Sequence, residues 1–328
     1  MTKISLEVGS GGRLMREFIA GRILRAFRDP LLRELGDAAL LPEGLAFTTD
    51  SYVVDPLFFP GGDIGRLAVN GTVNDLVVSG AKPKFLSLAL ILEEGLDEDI
   101  LDRVIRSIRA AAGRAGVRIV TGDTKVVRRG QGDKIYINTA GVGASIGRPC
   151  PGKIRRGDKI ILTGTLGDHS LAVMLARGDF GLKSNVRSDC APLLFLLPLW
   201  TSGARWMRDV TRGGLATVLF ELTERLPYPV LIEEDSIPLS RPVQAASELL
   251  GIDPLYMACE GKAVIVAPAA RADGFLRRLR AHPLGRKAAI IGEVQSRVGR
   301  PGELLLRTAA GGLRLLEPLT AELLPRIC

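Results

Sequence analysis

The chain has 328 residues, 46% hydrophobic and 24% charged, with 38 Gly and 19 Pro, the balance of a folded protein rich in turns and long enough for two domains, each with its own core. The net charge of +8 is spread along the chain and aromatics make up only 5%, so no stretch interleaves cations with stacking rings as a nucleic-acid partner would require; an anionic small molecule or an acidic protein fits better. Four widely spaced cysteines and two histidines argue against a disulfide framework, a zinc site or a histidine-built metal centre, and read as reduced thiols in a cytoplasmic protein.

No apolar run approaches the length needed to cross a bilayer, and Met1 to Glu7 lacks the apolar core of a signal peptide. Gly9-Ser10-Gly11-Gly12 precedes a helical pattern from Leu14 to Phe27, a place where backbone N–H groups can approach an anion. Phe47 to Val54 reads as a strand carrying Asp50. After the break at Pro60-Gly61-Gly62, Asp63 is placed to cap a long helix whose Ile64, Leu67, Ala68 and Gly71 share one face. That helix ends at Gly80, with Asn74 and Asp75 in its last turns. Phe85 to Leu92 has the continuous apolar character of a buried strand, and Asp97 to Asp99 opens a helix striped by Leu101, Val104, Ile105, Ile108 and Ala112. Val117 to Val120 is a strand that delivers Thr121-Gly122-Asp123-Thr124-Lys125 at its end, and Ile135 to Val142 is another.

Pro and Gly cluster at Cys150-Pro151-Gly152, which closes a first domain over residues 1–150. The second, 151–316, restarts with a strand over Lys159 to Thr163 and a helix entered through Gly164 to His169. Asp209-Val210-Thr211-Arg212-Gly213-Gly214 leads into a further helix. Strands follow at Val230 to Ile232, Ala263 to Ala267 and Ala288 to Val294, with helices near 240–250 and 270–281. Alternating strands and helices in both halves give an α/β class with α+β layers. Residues 317–328, broken by proline, read as a flexible tail carrying Cys328, long enough to move the thiol roughly 30 Å at ~3.3–3.6 Å per residue.

Asp37, Asp50, Asp75 and Asp123 each stand beside small residues at an element end, the hard oxygen ligands that magnesium on a triphosphate needs. Lys125 is spaced to meet a phosphate, and Gly213-Gly214 offers a second backbone site for an anion. No Walker motif is present, so a nucleotide site here is of another kind, and surface caps and turns remain the alternative reading of the same residues.

These stretches carry a resemblance. Phe58 to Gly65, Gly71 to Asp75, Val120 to Val127, Asp209 to Gly214, Glu260-Gly261-Lys262 and the final Pro325-Arg326-Ile327-Cys328 are similar to the hydrogenase maturation factor HypE family, from about residue 6 onward. The resemblance implies a two-domain PurM-like fold, a homodimer built through N-terminal-domain strands, and ATP with magnesium as cofactors. It implies that a carbamoyltransferase, HypF, loads Cys328. ATP-dependent loss of water then leaves a thiocyanate, whose cyanide passes to iron on a HypC–HypD complex. By the same resemblance Cys328 is the carrier, Glu260 the base and Lys125 a phosphoryl-stabilising group. Asp37, Asp50, Asn74, Asp75, Asp123, Thr124, Asp209, Thr211 and Gly213 would surround the nucleotide, with Asp37, Asp50, Asp75 and Asp123 on the metal. Val8, Cys259, Ser170 and the single acidic residue Asp37 depart from the family's usual pattern, and Cys259 reads as packing rather than as a second nucleophile. Two other functions remain open: a synthetase of the same fold acting on a free small molecule, and a nucleotide-switched assembly scaffold.

Overall fold

The computed structural model describes residues 3–9, 12–178, 180–295, 298–319 and 327–328. The expected tether over 317–325 therefore lies outside the described residues from 320 onward, and Ser10 and Gly11 of the glycine cluster lie outside them too.

The first half opens with helical backbone over α1 (Arg13–Phe18), a π-helical turn (Ile19–Leu24) and α2 (Arg25–Phe27), then α3 (Pro30–Arg33). Strands β1 (Ala39–Leu41) and β2 (Leu45–Tyr52) follow, and β3 (Phe58–Phe59) and β4 (Gly62–Asp63) form a small ribbon of their own. Next come α4 (Ile64–Val78), β5 (Ala81–Glu93), α5 (Glu98–Ala115), β6 (Arg118–Val127) and β7 (Ile135–Ser145). The sheet runs β1-β2-β7-β5-β6; only β5 and β6 are parallel, joined by α5 as a crossover helix must join them.

Asp63 caps α4 as its sequence position demands, accepting from Arg66 N at 2.9 Å, and it also accepts from Ser107 Oγ of α5 at 2.6 Å. Nearly every residue of α4 is buried, the mark of a helix enclosed on all sides rather than an amphipathic one. At Gly71 a Cβ would lie 2.2 Å from Tyr52 Oη, so glycine is what lets α4 lie against β2.

The second half contains β8 (Lys159–Leu162), α6 (Asp168–Arg177), α7 (Leu197–Thr201), β9 (Trp206–Asp209), α8 (Gly214–Thr223), β10 (Val230–Glu233) and α9 (Arg241–Leu250). It ends with β11 (Ala263–Ala267), α10 (Ala269–Arg280), β12 (Ala289–Val294), β13 (Leu304–Arg307) and β14 (Leu313–Leu316). Its sheet runs β14-β13-β10-β12-β8-β11-β9, with β10 and β13 parallel and the rest antiparallel.

Three expectations need correction. The largest apolar core is shared: Val73 and Leu86 of the first half belong to the same cluster as Ile161, Leu196, Ile265 and Phe275 of the second, and Trp200 Nε1 donates to Val77 O at 2.8 Å. The halves are thus not two separately filled interiors, although a second cluster lies wholly in the second half. Strand β5 is not buried on both faces, since Phe85 and Ile91 are 39% and 42% exposed. The Thr121 to Lys125 stretch is not a loop after a strand. It lies inside β6, paired with β5 from Ser87↔Thr121 to Ile91↔Lys125, on a sheet edge. Among the described residues no helix is long and apolar enough to cross a membrane.

Candidate active site

Where the two halves meet, a cavity of about 310 Å³ opens between α1, β2, the end of α4, β9 and α8. Asp37, Asp75 and Asp209 face one another there, each with a carboxylate oxygen within 4.8 Å of the others. The positions come from three directions: Asp37 from the loop before β1, Asp75 from the last turn of α4, and Asp209 from the end of β9. Thr48 Oγ1 sits 2.7 Å from Asp37 O and 2.9 Å from Asp75 Oδ2, tying β2 to this corner. Burial first, and then the neighbouring carboxylates, push Asp75 and Asp209 well above the usual carboxylate range. Asp37 is raised as well, despite Arg208, whose Nε lies 2.9 Å from its Oδ1 while Nη1 meets Glu221 Oε2 at 2.6 Å. Three crowded carboxylates with one guanidinium among them form a set of hard oxygen donors that a divalent cation would neutralise.

Asp50 lines the same cavity, with Arg212 Nη2 3.7 Å from its Oδ1, and Thr211 and Gly36 complete that wall. Gly213, at φ +79°, caps α8; a Cβ there would meet Thr217 Oγ1 at 2.5 Å, so the left-handed turn needs glycine on two counts. Thr217 Oγ1 is buried on the cavity side without a hydrogen-bond partner.

Asn74 is not on the wall. Its amide donates to Ala191 O at 3.1 Å and Glu260 O at 3.3 Å and accepts from Leu193 N at 2.8 Å, so its side-chain polar atoms are spent on the 191–193 segment and the Glu260 carbonyl. Glu260 itself is 3% exposed; burial, then Asp209, Asp50 and Asp189, raise its carboxyl well above the ordinary range, against Arg212. Cys328 is half-buried. Its main-chain oxygen accepts from Val53 N at 3.2 Å, Ile327 O lies 2.8 Å from His169 Nε2, and Ile327 is 6% exposed. Negative charge at Cys328 is the foremost influence raising the Arg212 pKa. The end of the chain is therefore seated inward.

Asp123, Thr124 and Lys125 do not join this group. Lys125 Nζ pairs with Asp123 Oδ2 at 3.0 Å in the open, which lowers the Asp123 pKa. Strand β6 stands three strand spacings from β2, about 14 Å, so its side chains stay outside the cavity of their own chain. The carboxylate cluster is accordingly Asp37, Asp75 and Asp209, rather than the expected Asp37, Asp50, Asp75 and Asp123.

Sequence reading passed over Arg208, Arg212, Thr48, His169 and Asp189. Two of these lay in view, because Arg208 and Arg212 flank or sit within the Asp209 to Gly214 motif; Thr48 and Asp189 carry no local signal. Cys190 and Cys259 are buried, with burial pushing the Cys190 thiol up to about 12 and Cys259 well above its ordinary value, as befits packing groups. None of the four cysteines is in a disulfide.

Residues 35–145 match the family model for the AIR synthase related protein, N-terminal domain, and residues 155–300 that for its C-terminal domain. A carbamoyl dehydratase HypE of Rhodobacter capsulatus is 45% identical over 99% of this chain and 98% of its own. Among solved structures, a hydrogenase maturation protein HypE in complex with ATP superposes with a TM-score of 0.83 at 46% identity, covering 99% of this chain and 100% of that one. A chain of a HypE–HypF complex gives 0.87 at 41%, covering 92% and 99%. The two mixed sheets with their flanking helices are the PurM-like α/β fold. With end-to-end identity of this order, the chain belongs to the HypE family of carbamoyl dehydratases.

Proposed function

We propose that this chain uses ATP to dehydrate an S-carbamoyl group on Cys328 to a thiocyanate, supplying cyanide for [NiFe]-hydrogenase assembly. The observation that carries the reading is the inward seating of the end of the chain, where Ile327 is buried with its carbonyl 2.8 Å from His169 Nε2 and the Cys328 main-chain oxygen accepts from Val53 N at 3.2 Å. Arg212 faces Asp50 on the nucleotide wall and lowers the pKa of the Glu260 carboxyl, linking that wall to the base.

The chemistry balances as R–S–CO–NH2 + ATP → R–S–C≡N + ADP + phosphate. The carbamoyl oxygen attacks the γ-phosphorus, turning a poor leaving group into phosphate; nitrogen gives up its protons as the C–O bond breaks. Glu260 is suited to take a proton because its raised pKa brings a carboxylate nearer to neutrality, where a general base works best. Arg212 offsets negative charge gathering around the oxygen. Asp37, Asp75 and Asp209 would hold magnesium, which when bound neutralises phosphate charge. Asp50, Thr211 and the backbone at Gly213 would border the nucleotide.

Asp123, Thr124 and Lys125 fit this reading only through a second chain. Among the described residues strand β6 has no partner on its outer edge, and Val120, Val126, Ile91 and Phe47 are exposed on this sheet, which a homodimer would cover. In that assembly residues 1–150 bind nucleotide and dimerise, 151–316 complete the cleft, and 317–328 carry the thiol. We place the protein in the cytoplasm, loaded by a HypF-type carbamoyltransferase and delivering to a HypC–HypD complex.

Intact mass before and after ATP tests the reading. Cys328→Ala should take up no carbamoyl group. Glu260→Gln should load and then stall, by ~10²–10⁴-fold, since an amide cannot accept the proton. Lys125→Ala should stall at phosphoryl transfer. Loss of one water from loaded Glu260→Gln at the parent rate removes Glu260 as the base, and no water loss from loaded parent protein overturns the dehydratase reading.

A further inference from the structure

We propose that His169 is a positioning residue that holds the Ile327–Cys328 dipeptide in the cleft, and that Ser188 fixes the imidazole tautomer that does so; the inference rests on the reading of Cys328 as carrier. His169 is the second residue of α6 and fully buried. Its Nε2 lies 2.8 Å from Ile327 O and its Nδ1 2.8 Å from Ser188 Oγ. A carbonyl has no hydrogen to give, so Nε2 must carry the proton. In a neutral ring Nδ1 is then an acceptor, and the Ser188 hydroxyl must donate to it. Ser188 Oγ in turn accepts from Cys190 N at 3.1 Å. The direction of each bond in the chain Cys190–Ser188–His169–Ile327 is thereby determined.

The ring has little freedom to turn away. Phe59 packs edge-on against it at 5.4 Å and 82°. Burial lowers the His169 pKa and favours the neutral ring, against the raising influence of the Asp189 carboxylate and the Ile327 carbonyl. The dipeptide is also gripped by burial of the Ile327 side chain and by Val53 N on Cys328 O, so contacts from both halves of the protein meet on two residues.

The strength of such a latch suits a carrier. A thiol that must be reachable for loading and enclosed for dehydration needs a bias, not a lock. A single neutral hydrogen bond contributes a roughly 2- to 10-fold preference.

The test is the alkylation rate of Cys328 by iodoacetamide, mapped by peptide mass with Cys150 as internal standard. His169→Ala should raise the Cys328 rate roughly 2- to 10-fold and leave Cys150 unchanged. Ser188→Ala, which frees the tautomer, should give a smaller rise, and His169→Gln, which keeps an N–H donor, should restore much of the protection. In turnover, His169→Ala should slow dehydration of preloaded protein without slowing loading, a split that general loosening would not produce. An unchanged Cys328 rate in His169→Ala, or a parallel rise at Cys150, would overturn the latch. Labelling that shifts as expected in a chain that never loses water would uphold the latch and overturn the dehydratase reading.

Discussion

Glu260 is suspended from Asp189. The Glu260 backbone N–H donates to Asp189 Oδ1 at 3.0 Å, and Lys262 Nζ lies 3.0 Å from the other oxygen of the same carboxylate, with both side chains of that ion pair almost wholly buried. Asn74 grips the Glu260 carbonyl from the other side. The residue read as the base is thus held at both backbone polar groups by buried side chains.

Breaking that pair should be costly. Lys262→Met leaves the Asp189 carboxylate enclosed without its cation and should destabilise the fold by about 3–5 kcal/mol in denaturant unfolding. Adding Asp189→Asn should recover a large part of the loss, because no buried charge is then left over. Additive effects of the two substitutions would show that the pair is not coupled.

The Glu260 environment sets the pH dependence. A base must be ionised, and its pKa is raised, so the acid limb of single-turnover dehydration should lie above the ordinary carboxylate range, with activity growing as pH rises through it. Asp50→Asn removes a raising charge and should move the limb down; Arg212→Met removes the lowering charge and should move it up. Limbs that stay together in all three proteins would separate the observed ionisation from Glu260.

The carboxylate cluster should make the metal-free protein sensitive to pH. Asp75 and Asp209 have folded pKa values above their unfolded ones, so the protonated groups' contribution is fully present below about 3.9 and is lost as pH rises through the raised values. Each proton difference gives a slope of about 1.4 kcal/mol per pH unit. Magnesium should therefore raise the melting temperature at pH 8 more than at pH 5. Asp209→Asn should melt higher than the parent without metal at pH 8 and respond less to magnesium. Equal magnesium responses in the two proteins would take Asp209 out of the site.

The open face of the first sheet should be an interface between two copies. Val126→Glu, at a side chain 67% exposed, should convert a dimer to monomer in sedimentation equilibrium while leaving the chain folded. Asp123→Ala should keep the dimer and lose nucleotide affinity by calorimetry. A parent protein that sediments as monomer would remove Asp123, Thr124 and Lys125 from the nucleotide site.

What the sequence determined by itself was local and periodic. The cap at Asp63, the end of α4, the start of α5, the strands at Lys159 to Thr163, Val230 to Ile232, Ala263 to Ala267 and Ala288 to Val294, and the class of fold all follow from residue spacing, because capping, turn formation and amphipathicity act within a few positions. Asp37, Asp50, Asp75 and Asp123 stood out as carboxylates beside small residues at element ends, a pattern that caps and turns also produce, and Asp209 was legible only through the family resemblance. Trp206 to Asp209 and the strands β13 and β14 were not legible, their apolar runs being too short to stand apart from loop. Tertiary structure alone decided which carboxylates meet. Asp209 joins Asp37 and Asp75 because β9 ends where α4 does, whereas Asp123 is carried across the sheet by β6, and strand order is fixed by pairing between distant segments. The same holds for the tail. Proline and a terminal cysteine suggested a tether, but the inward seating of Ile327 and Cys328 depends on His169 and Val53, 158 positions away in the first case, which no local pattern encodes.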